Sequence, residues 1–244
     1  MQTITEKTVR EIAVETPSSV RVFESLGIDY CCGGKRSLGE ACASASVNPG
    51  ELVEMLAKAE LESRPEAGGQ WNGEQLSTII THIVGSHHAY VRRQTPFING
   101  LLSKVTAKHG TAHPEVLQID KLFSAIAQEL STHMLKEEQV LFPHIERLER
   151  AALNGEYPLP TAFFGTVRGP IANMMADHDD TGALLSEMRK LADGYNAPAG
   201  ACPTFRALYS GLEEFERDLH HHVHLENNIL FPRAVEFERA QPIQ

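Results

Sequence analysis

Two segments in the second half of the chain combine histidine and glutamate at a four-residue spacing. HMLKEEQVLFP begins at His133, and HVHLENNILFP begins at His222, 89 residues later. Residues four apart share one face of an α-helix, so His133 lies on the same face as Glu137, and His222 lies on the same face as Glu226. Imidazole and carboxylate groups are ligands of iron, manganese and zinc. The repeat therefore predicts a metal site built twice from the same motif.

One further histidine precedes each motif at nearly the same distance. His88 lies 45 residues before His133, and His178 lies 44 residues before His222. His87 competes with His88, because its spacing differs by only one residue. Six inward-facing polar side chains need a cation to compensate them in an apolar core. The predicted ligands are His88, His133, Glu137, His178, His222 and Glu226.

This ligand set suits a pair of metal ions. Two glutamates can each bridge both metals, which leaves two histidines for each metal. Oxygen bridges, solvent or a small molecule must then complete each coordination shell. Such open, mixed ligation favours iron over a closed structural zinc site, although manganese or zinc could load in its place.

The remaining histidines are expected outside the site. Within the tract HHHVH, helical projection places only His222 on the face of Glu226, so His220, His221 and His224 are predicted to be solvated. The others are expected to be surface or interhelix polar groups: His82, His109, His113 and His144.

Two carboxylates lie one turn before the motif histidines. Glu129 precedes His133 by four residues, and Asp218 precedes His222 by four. They are candidates to orient the imidazoles or to relay protons. The alternative, that they are helix-face charges reaching solvent, is equally compatible with this spacing.

The adjacent pair Cys31 and Cys32 indicates a redox role, because a disulfide between them would be strained and easily reduced. Lys35 and Arg36 lie close enough in sequence to lower a thiol pKa and raise its reactivity. A zinc site is disfavoured because no CxxC spacing is present. The alternative is a buried turn with inert thiols. Cys42 and Cys202 give no functional signal.

Helical periodicity dominates the elements that must position these residues, and strand signals are nearly absent. We predict an all-α protein with a small helical N-terminal domain at 1–62 and a second domain at 74–244. Proline and glycine mark a linker at 63–73. Four helices at about 74–106, 113–149, 170–193 and 203–239 predict an antiparallel bundle. Pro96 predicts a kink or short interruption in the first helix.

Composition excludes several classes of function. A net charge of −10 without a basic tract argues against nucleic-acid binding. No apolar run approaches the roughly 20 residues that span a bilayer, and the first residues lack the apolar segment of a signal peptide. We therefore expect a cytoplasmic protein that binds neither nucleic acid nor membrane.

Several motifs resemble one known family. DYCCGGKRSL resembles the N-terminal signature of the RIC family, the iron–sulfur cluster repair di-iron proteins. HMLKEEQVLFP, MMADHDD and HVHLENNILFP resemble the hemerythrin-like bundle that follows that signature in the same family. The resemblance covers almost the whole chain in the expected order, and it implies an all-α fold ending in a hemerythrin-like four-helix bundle.

The resemblance also implies site chemistry. It implies a non-haem di-iron centre bridged by Glu137 and Glu226, with the four histidines as ligands. It favours His88 over His87, because His88 lies eight residues before Pro96, as the family ligand does before its proline. Six protein ligands leave the iron more accessible than in oxygen-carrying hemerythrins. The carboxylates beside the family's site match Glu129 and, less closely, Asp177, where an aspartate replaces the expected glutamate.

The implied function is repair of iron–sulfur clusters damaged by nitrosative or oxidative stress. The iron would either be supplied to the damaged cluster, with Cys31 and Cys32 helping to receive or pass it in an iron-transfer role, or reduce nitric oxide to nitrous oxide. The expected partners are nitric oxide or oxygen as small ligands and damaged iron–sulfur proteins as clients; monomer and homodimer both stay open. The alternatives are an oxygen or nitric oxide sensor without turnover, an iron storage or transfer protein, and a bundle without metal.

Overall fold

The computed structural model describes residues 4–62, 71–156 and 162–239. Within these ranges the protein is built from helices, turns and isolated bridges, without a β-strand. The prediction of an all-α protein is therefore confirmed. No helix in the described ranges is long and apolar enough to cross a membrane. Most of the predicted linker at 63–73 lies outside the described residues, and the division into two domains there stays a prediction.

Four short helices form the N-terminal part: α1 (Val9–Glu15), α2 (Ser19–Ser25), α3 (Leu38–Ala45) and α4 (Pro49–Glu62). Thr8 and Glu11 form a capping box at the start of α1, and Ser37 and Glu40 form another at the start of α3. These helices surround an apolar core of their own, which includes Phe23 and Leu38. The loop between α2 and α3 carries the two adjacent cysteines.

The second part contains α5 (Leu76–His82), α6 (Ala89–His109), α7 (Glu115–Lys136), α8 (Phe142–Leu153), α9 (Arg168–Leu191), α10 (Pro203–Leu225) and α11 (Phe231–Arg239). Three π-helical segments join consecutive helices into longer rods: Ile83–His88, Glu137–Leu141 and Glu226–Leu230. The four rods at 76–109, 115–153, 168–191 and 203–239 match the four predicted helices. Helix α6 continues through Pro96, so the irregular turn of this rod lies at Ile83–His88 instead.

The rods pack as a four-helix bundle with two separate apolar layers. One layer includes Phe123, Leu130 and Phe215, and the other includes Phe142 and Phe231. Along every rod the predicted ligands fall between residues of the first layer and residues of the second. The polar site therefore lies inside the bundle with apolar packing on both sides of it.

The internal repeat extends to the capping of two helices. Glu149 of α8 accepts hydrogen bonds from the backbone N–H groups at the start of α5, including that of Ser77 at 2.9 Å. Glu238 of α11 accepts from the backbone N–H of Val167 at 3.0 Å, at the start of α9. Each glutamate lies twelve residues after the glutamate of its motif. A carboxylate at a helix N-terminus satisfies unpaired donors and complements the helix dipole.

Candidate metal centre

The predicted ligands lie where the rods depart from α-helical geometry. Glu137 and Glu226 each begin a π-helical segment, and His88 ends another. A π-helical turn inserts one residue into the α-helical register, so it changes which side chains face the bundle axis. Such turns are frequent at functional sites. His178 lies within the regular helix α9.

The six predicted ligands form two overlapping groups of four. One group combines His88 and His222 with both glutamates, and the other combines His133 and His178 with the same glutamates. Within each group the ligand atoms all lie within 4.8 Å of one another. The six side chains are buried, none with more than 4% of its surface exposed. His87 belongs to neither group, so the structure brings His88 into the cluster rather than His87.

Hydrogen bonds at Nδ1 determine what the other ring nitrogens present to the centre. The Nδ1 atoms of His88, His133 and His178 contact side-chain oxygens, two of carboxylates and one of an amide. Because these oxygens only accept, Nδ1 donates, and in the neutral ring Nε2 carries a lone pair. The Nε2 atoms of His133 and His178 nevertheless face each other at 2.9 Å. Only a shared proton or a cation between them makes this arrangement favourable.

The glutamate oxygens lead to the same conclusion. Both carboxylate oxygens of Glu137 and Oε2 of Glu226 are buried and have no hydrogen-bond partner among the described residues. Buried polar atoms without partners are costly, so they are rare in native proteins. Two cations shared by the glutamates would satisfy these oxygens and the facing imidazoles together. The residues present therefore fit a pair of metal ions.

Charge interactions within the cluster also shift the pKa values of the ligands, so protons and metal ions compete for the same atoms. Although burial disfavours a charged ring, the carboxylate of Glu137, 3.2 Å from Nε2, raises the pKa of His133 to about 9. Although burial also opposes its charge, His222 and His178 lower the pKa of Glu226 well below its usual range. The metal-free cluster thus retains protons among its ligands, and metal binding must release them.

Three of the ligand imidazoles donate a hydrogen bond from Nδ1, the ring nitrogen that faces away from the cluster, and the partners of two of them are Glu138 and Asn227. Glu138 accepts from Nδ1 of His88 at 2.6 Å, and Arg92 in turn binds both oxygens of Glu138. Asn227 accepts from Nδ1 of His178 at 2.9 Å. Sequence reasoning missed both residues, although each directly follows the glutamate of its motif. That shared position is the signal that would have identified them.

Asp177, which was expected beside the site, holds the third imidazole. Its Oδ2 atom lies 3.2 Å from Nδ1 of His133 and 3.1 Å from Nζ of Lys136. Glu129 is exposed and lines a cavity of about 440 Å³ that His133, Lys136 and Asp177 also line. The structure thus places a carboxylate directly against His133, and that carboxylate belongs to Asp177 rather than Glu129.

The fourth imidazole has different surroundings. Asp218 contacts Nδ1 of His87 at 3.0 Å, not His222, so the expectation that it lies against His222 is not met. The ring of His87 stacks on that of His222, with centroids 5.6 Å apart and planes 3° from parallel. His87 directly precedes a predicted ligand, as Asp177 does in the other half of the repeat. Because an imidazole replaces the carboxylate there, Nδ1 of His222 has no hydrogen-bond partner among the described residues.

The prediction that His220, His221 and His224 are solvated is wrong for His224 and incomplete for the other two. His224 is 8% exposed, and burial lowers its pKa to about 3. His220 and His221 are half-buried. The ring of Tyr30 lies against all three imidazoles, because the N-terminal helices pack on this face of α10. His144, expected as a surface or interhelix group, is fully buried and lies against Phe164.

The two adjacent cysteines lie beside the metal cluster. Cys32 Sγ is 3.6 Å from the backbone oxygen of His178, and the two Sγ atoms are 3.8 Å apart. Cys31 is buried, and its contact with Cys32 together with burial raises the pKa of its thiol. The expected lowering by Lys35 and Arg36 is therefore not found at Cys31; both cations are exposed, and Arg36 bonds to Gly33 and Ser44.

A cavity of about 200 Å³ lies between this cysteine loop and the bundle. Cys31 and Cys32 line one side of it, and His133, His178 and His222 line the other. The ligand set is therefore reached by a space large enough for a small molecule. The separate cavity at Glu129 and Asp177 is lined by residues of α7 and α9 and also reaches His133.

Comparisons with known proteins agree with this architecture. Residues 79–234 match the hemerythrin HHE cation-binding domain, and residues 5–60 match a domain of unknown function, DUF542. An iron–sulfur cluster repair protein YtfE from Pectobacterium atrosepticum is 35% identical over 96% of this chain and 98% of its own length. The protein of the same name from Edwardsiella ictaluri is 38% identical over the same shares. That from Yersinia pseudotuberculosis is 35% identical over 93% of this chain and 96% of its own.

A hemerythrin domain implies iron binding, and the His/Glu clusters of the bundle could hold the metal. The relatives are matched across both parts of the chain and at nearly full length. The chain therefore belongs to the hemerythrin HHE cation-binding family and, across both its parts, to the YtfE family of iron–sulfur cluster repair proteins.

Proposed function

We propose that the chain holds two iron ions, bridged by Glu137 and Glu226 and each bound by two histidines. The observation that carries this proposal is the pair of ligand groups that share two buried glutamates with unpartnered oxygens. His88 and His222 would bind one ion, and His133 and His178 the other. An oxygen bridge would complete the pair, because six protein ligands leave coordination positions open on both ions.

We further propose that the protein repairs iron–sulfur clusters damaged by nitrosative or oxidative stress. Its relatives carry the name of iron–sulfur cluster repair proteins, and the similarity spans the cysteine loop as well as the bundle. Damaged iron–sulfur proteins would be its clients. Bound iron supplies both an ion that can be donated to a cluster and electrons for chemistry on a small ligand such as nitric oxide.

The residues around the centre have supporting roles in this proposal. Three of the ligand imidazoles donate a hydrogen bond from Nδ1, so their Nε2 atoms would be directed toward the metal. The acceptors are Glu138, Asp177 and Asn227. The apolar layers on both sides keep bulk water from the ligands. The cavity beside Cys31 and Cys32 would give a diatomic molecule access to the ligands His133, His178 and His222.

Iron content tests the centre directly. We expect about two irons per chain in the wild type and a loss of at least half of them in His222→Ala, because one imidazole ligand is removed. His113→Ala is the control, since this ring lies beside Phe205 at the far end of the bundle. Little iron in the wild type, or equal iron in both variants, would contradict the di-iron centre. His224→Ala is unsuitable as a control because His224 is buried.

Repair is tested with a [4Fe–4S] enzyme inactivated by nitric oxide. Adding the iron-loaded wild-type protein should restore its activity, whereas His222→Ala should restore much less at equal protein concentration. Free ferrous iron, at the concentration that the wild type supplies, is the second control. Equal recovery with free iron and with the protein would contradict a specific repair function.

The cavity beside the ligands favours nitric oxide reduction as a second activity. It brings a small molecule to His133 and His178 without requiring a client protein. Gas chromatography should then detect nitrous oxide when the reduced protein meets nitric oxide. A reversible change in the optical spectrum without nitrous oxide would instead support the sensor alternative.

A further inference from the structure

Two consecutive asparagines connect the metal cluster to the cysteine loop. Asn227 and Asn228 directly follow Glu226 and are 3% and 7% exposed. Oδ1 of Asn227 accepts from Nδ1 of His178 at 2.9 Å, and Nδ2 of the same amide points to the backbone oxygen of Cys31 at 3.5 Å. One side chain therefore contacts a predicted metal ligand and the cysteine loop together.

In the other half of the repeat, the residue that corresponds to Asn227 has no cysteine loop beside it. Glu138 follows Glu137 as Asn227 follows Glu226, and it accepts from Nδ1 of His88. The outer side of Glu138 meets the guanidinium of Arg92 rather than a backbone carbonyl. A carboxylate can accept from an imidazole but cannot donate to a carbonyl, whereas an amide does both. The amide at 227 thus fits the position that faces the N-terminal helices.

Neighbouring contacts hold the loop in the same place. Nδ2 of Asn228 donates to the backbone oxygen of Tyr30 at 2.9 Å, and Cys32 Sγ lies 3.6 Å from the backbone oxygen of His178. Arg10 donates to the backbone oxygen of Asn228 at 3.2 Å. Asn228 does not contact a predicted ligand, so it anchors the loop without contacting the metal cluster. Asn227, in contrast, makes both contacts through one side chain.

We propose that Asn227 is a positioning residue that couples metal binding at His178 to docking of the Cys31–Cys32 loop. This inference rests on the proposed metal centre. A metal at Nε2 of His178 fixes the ring, so Nδ1–H holds Oδ1 of Asn227 and directs its N–H toward Cys31. The coupling is reciprocal, since a docked loop holds the amide that orients His178. Metal occupancy and the position of the thiols are thereby linked.

Hydrogen exchange in the full-length chain measures this coupling. The amides of Cys31, Cys32 and Gly33, which donate to Asp29, report opening of the loop. Each protein is compared after chelation and after loading with ferrous iron without oxygen. In the wild type, loading should slow exchange of these amides about fivefold, the net effect of one hydrogen bond.

Three variants separate docking from metal binding. Asn227→Asp keeps the acceptor for His178 but removes the donor to Cys31, so it should retain iron and lose the metal-dependent slowing. Asn227→Ala loses both contacts and should show faster exchange and less iron. Asn228→Ala should speed exchange with and without metal by a similar factor, while the fivefold difference between the two states stays.

The outcomes distinguish this proposal from direct metal binding by the thiols. Slowing that survives in Asn227→Asp would overturn the proposal, because the metal would then act on the loop without the amide. An absence of slowing in an iron-loaded wild type would overturn it as well. If the wild type binds no iron, the metal centre itself fails. The loop contact is then still tested by metal-free exchange, where unchanged rates in Asn227→Asp and Asn227→Ala would contradict it.

Discussion

His144 is a buried imidazole without a polar partner among the residues that the structure describes. Its side chain is fully buried beside Phe164, and both ring nitrogens lack a hydrogen-bond partner among the described residues. An unpaired buried polar group costs roughly 1–3 kcal/mol. We therefore expect His144→Leu, which is similar in volume, to raise the free energy of unfolding by about 1–2 kcal/mol in urea denaturation.

The same substitution has a pH signature. Burial lowers the pKa of His144 below its ordinary value of 6.5. Below pH 6.5 the unfolded chain takes up a proton that the folded chain refuses, so stability is lost as pH falls from 6.5 toward the folded pKa. The stabilisation by His144→Leu should therefore be larger at pH 5.5 than at pH 7.5. A gain that is equal at both pH values, or a loss at both, would contradict this account.

The ligand residues themselves were accessible to sequence reasoning. The spacing of His133 to Glu137 and of His222 to Glu226 is a local property of one helix, so no tertiary information is needed. Asn227 was missed for a physical reason. In a regular α-helix the residue after Glu226 points about 100° away from it, so a helical projection places it off the face of the metal ligands. In the structure Asn227 lies in the π-helical turn and reaches Nδ1 of His178 on a neighbouring rod.

The N-terminus of helix α5 is capped by the side chain of Glu149. Glu149 is 3% exposed and accepts from two backbone N–H groups at the start of α5. Removing a buried charged acceptor leaves these donors unpaired, which costs roughly 2–3 kcal/mol. We expect Glu149→Ala to lower the free energy of unfolding by that amount and Glu149→Gln by less, since an amide keeps one acceptor.

Glu238 provides the matched control for that prediction. It occupies the same position in the repeat, but it is half-buried and accepts from one backbone N–H group, that of Val167. Glu238→Ala should therefore cost less than half as much as Glu149→Ala in the same urea titration. Equal losses would indicate that the two caps do not differ as their burial implies.

Helix positions were predictable because amphipathic spacing, prolines and glycines mark the rods. The three π-helical segments were not, because an inserted residue leaves the apolar spacing on each side intact. For the same reason the irregular turn of the first rod was placed at Pro96 rather than at Ile83–His88. A proline is visible in a sequence, whereas a register shift stabilised by buried polar ligands is not.

At the scale of the whole molecule, packing between the two parts explains the misjudged histidines. A helical projection shows which side of α10 faces the metal cluster, but not what covers the opposite side. Tyr30 and Glu24 of the N-terminal part cover it and contact His220, whose Nδ1 lies 3.0 Å from Oε1 of Glu24. These histidines would be solvated, as predicted, only if the bundle were not covered by the N-terminal part.

The contact between Glu24 and His220 joins the N-terminal part to helix α10. Although burial opposes both charges, the hydrogen bond between the two groups raises the pKa of His220 and lowers that of Glu24. Glu24 also accepts from the hydroxyl of Tyr30 at 2.7 Å. We expect Glu24→Ala to weaken docking of the N-terminal helices by roughly 1.5–3 kcal/mol, because the half-buried imidazole of His220 loses its carboxylate partner in the other part. The hydroxyl of Tyr30 also loses its partner, but that bond lies within the N-terminal part.

Calorimetry distinguishes this effect from a general loss of stability. When two parts unfold together because their interface is strong, weakening the interface separates their transitions. Glu24→Ala should therefore unfold at a lower temperature in its N-terminal part, with the bundle transition less affected. Glu51→Ala, an exposed change on α4, is the control and should leave a single profile like that of the wild type. A uniform shift of the whole profile by Glu24→Ala would show that the contact does not join the two parts. The partial burial of His220 and His221 would then need another cause.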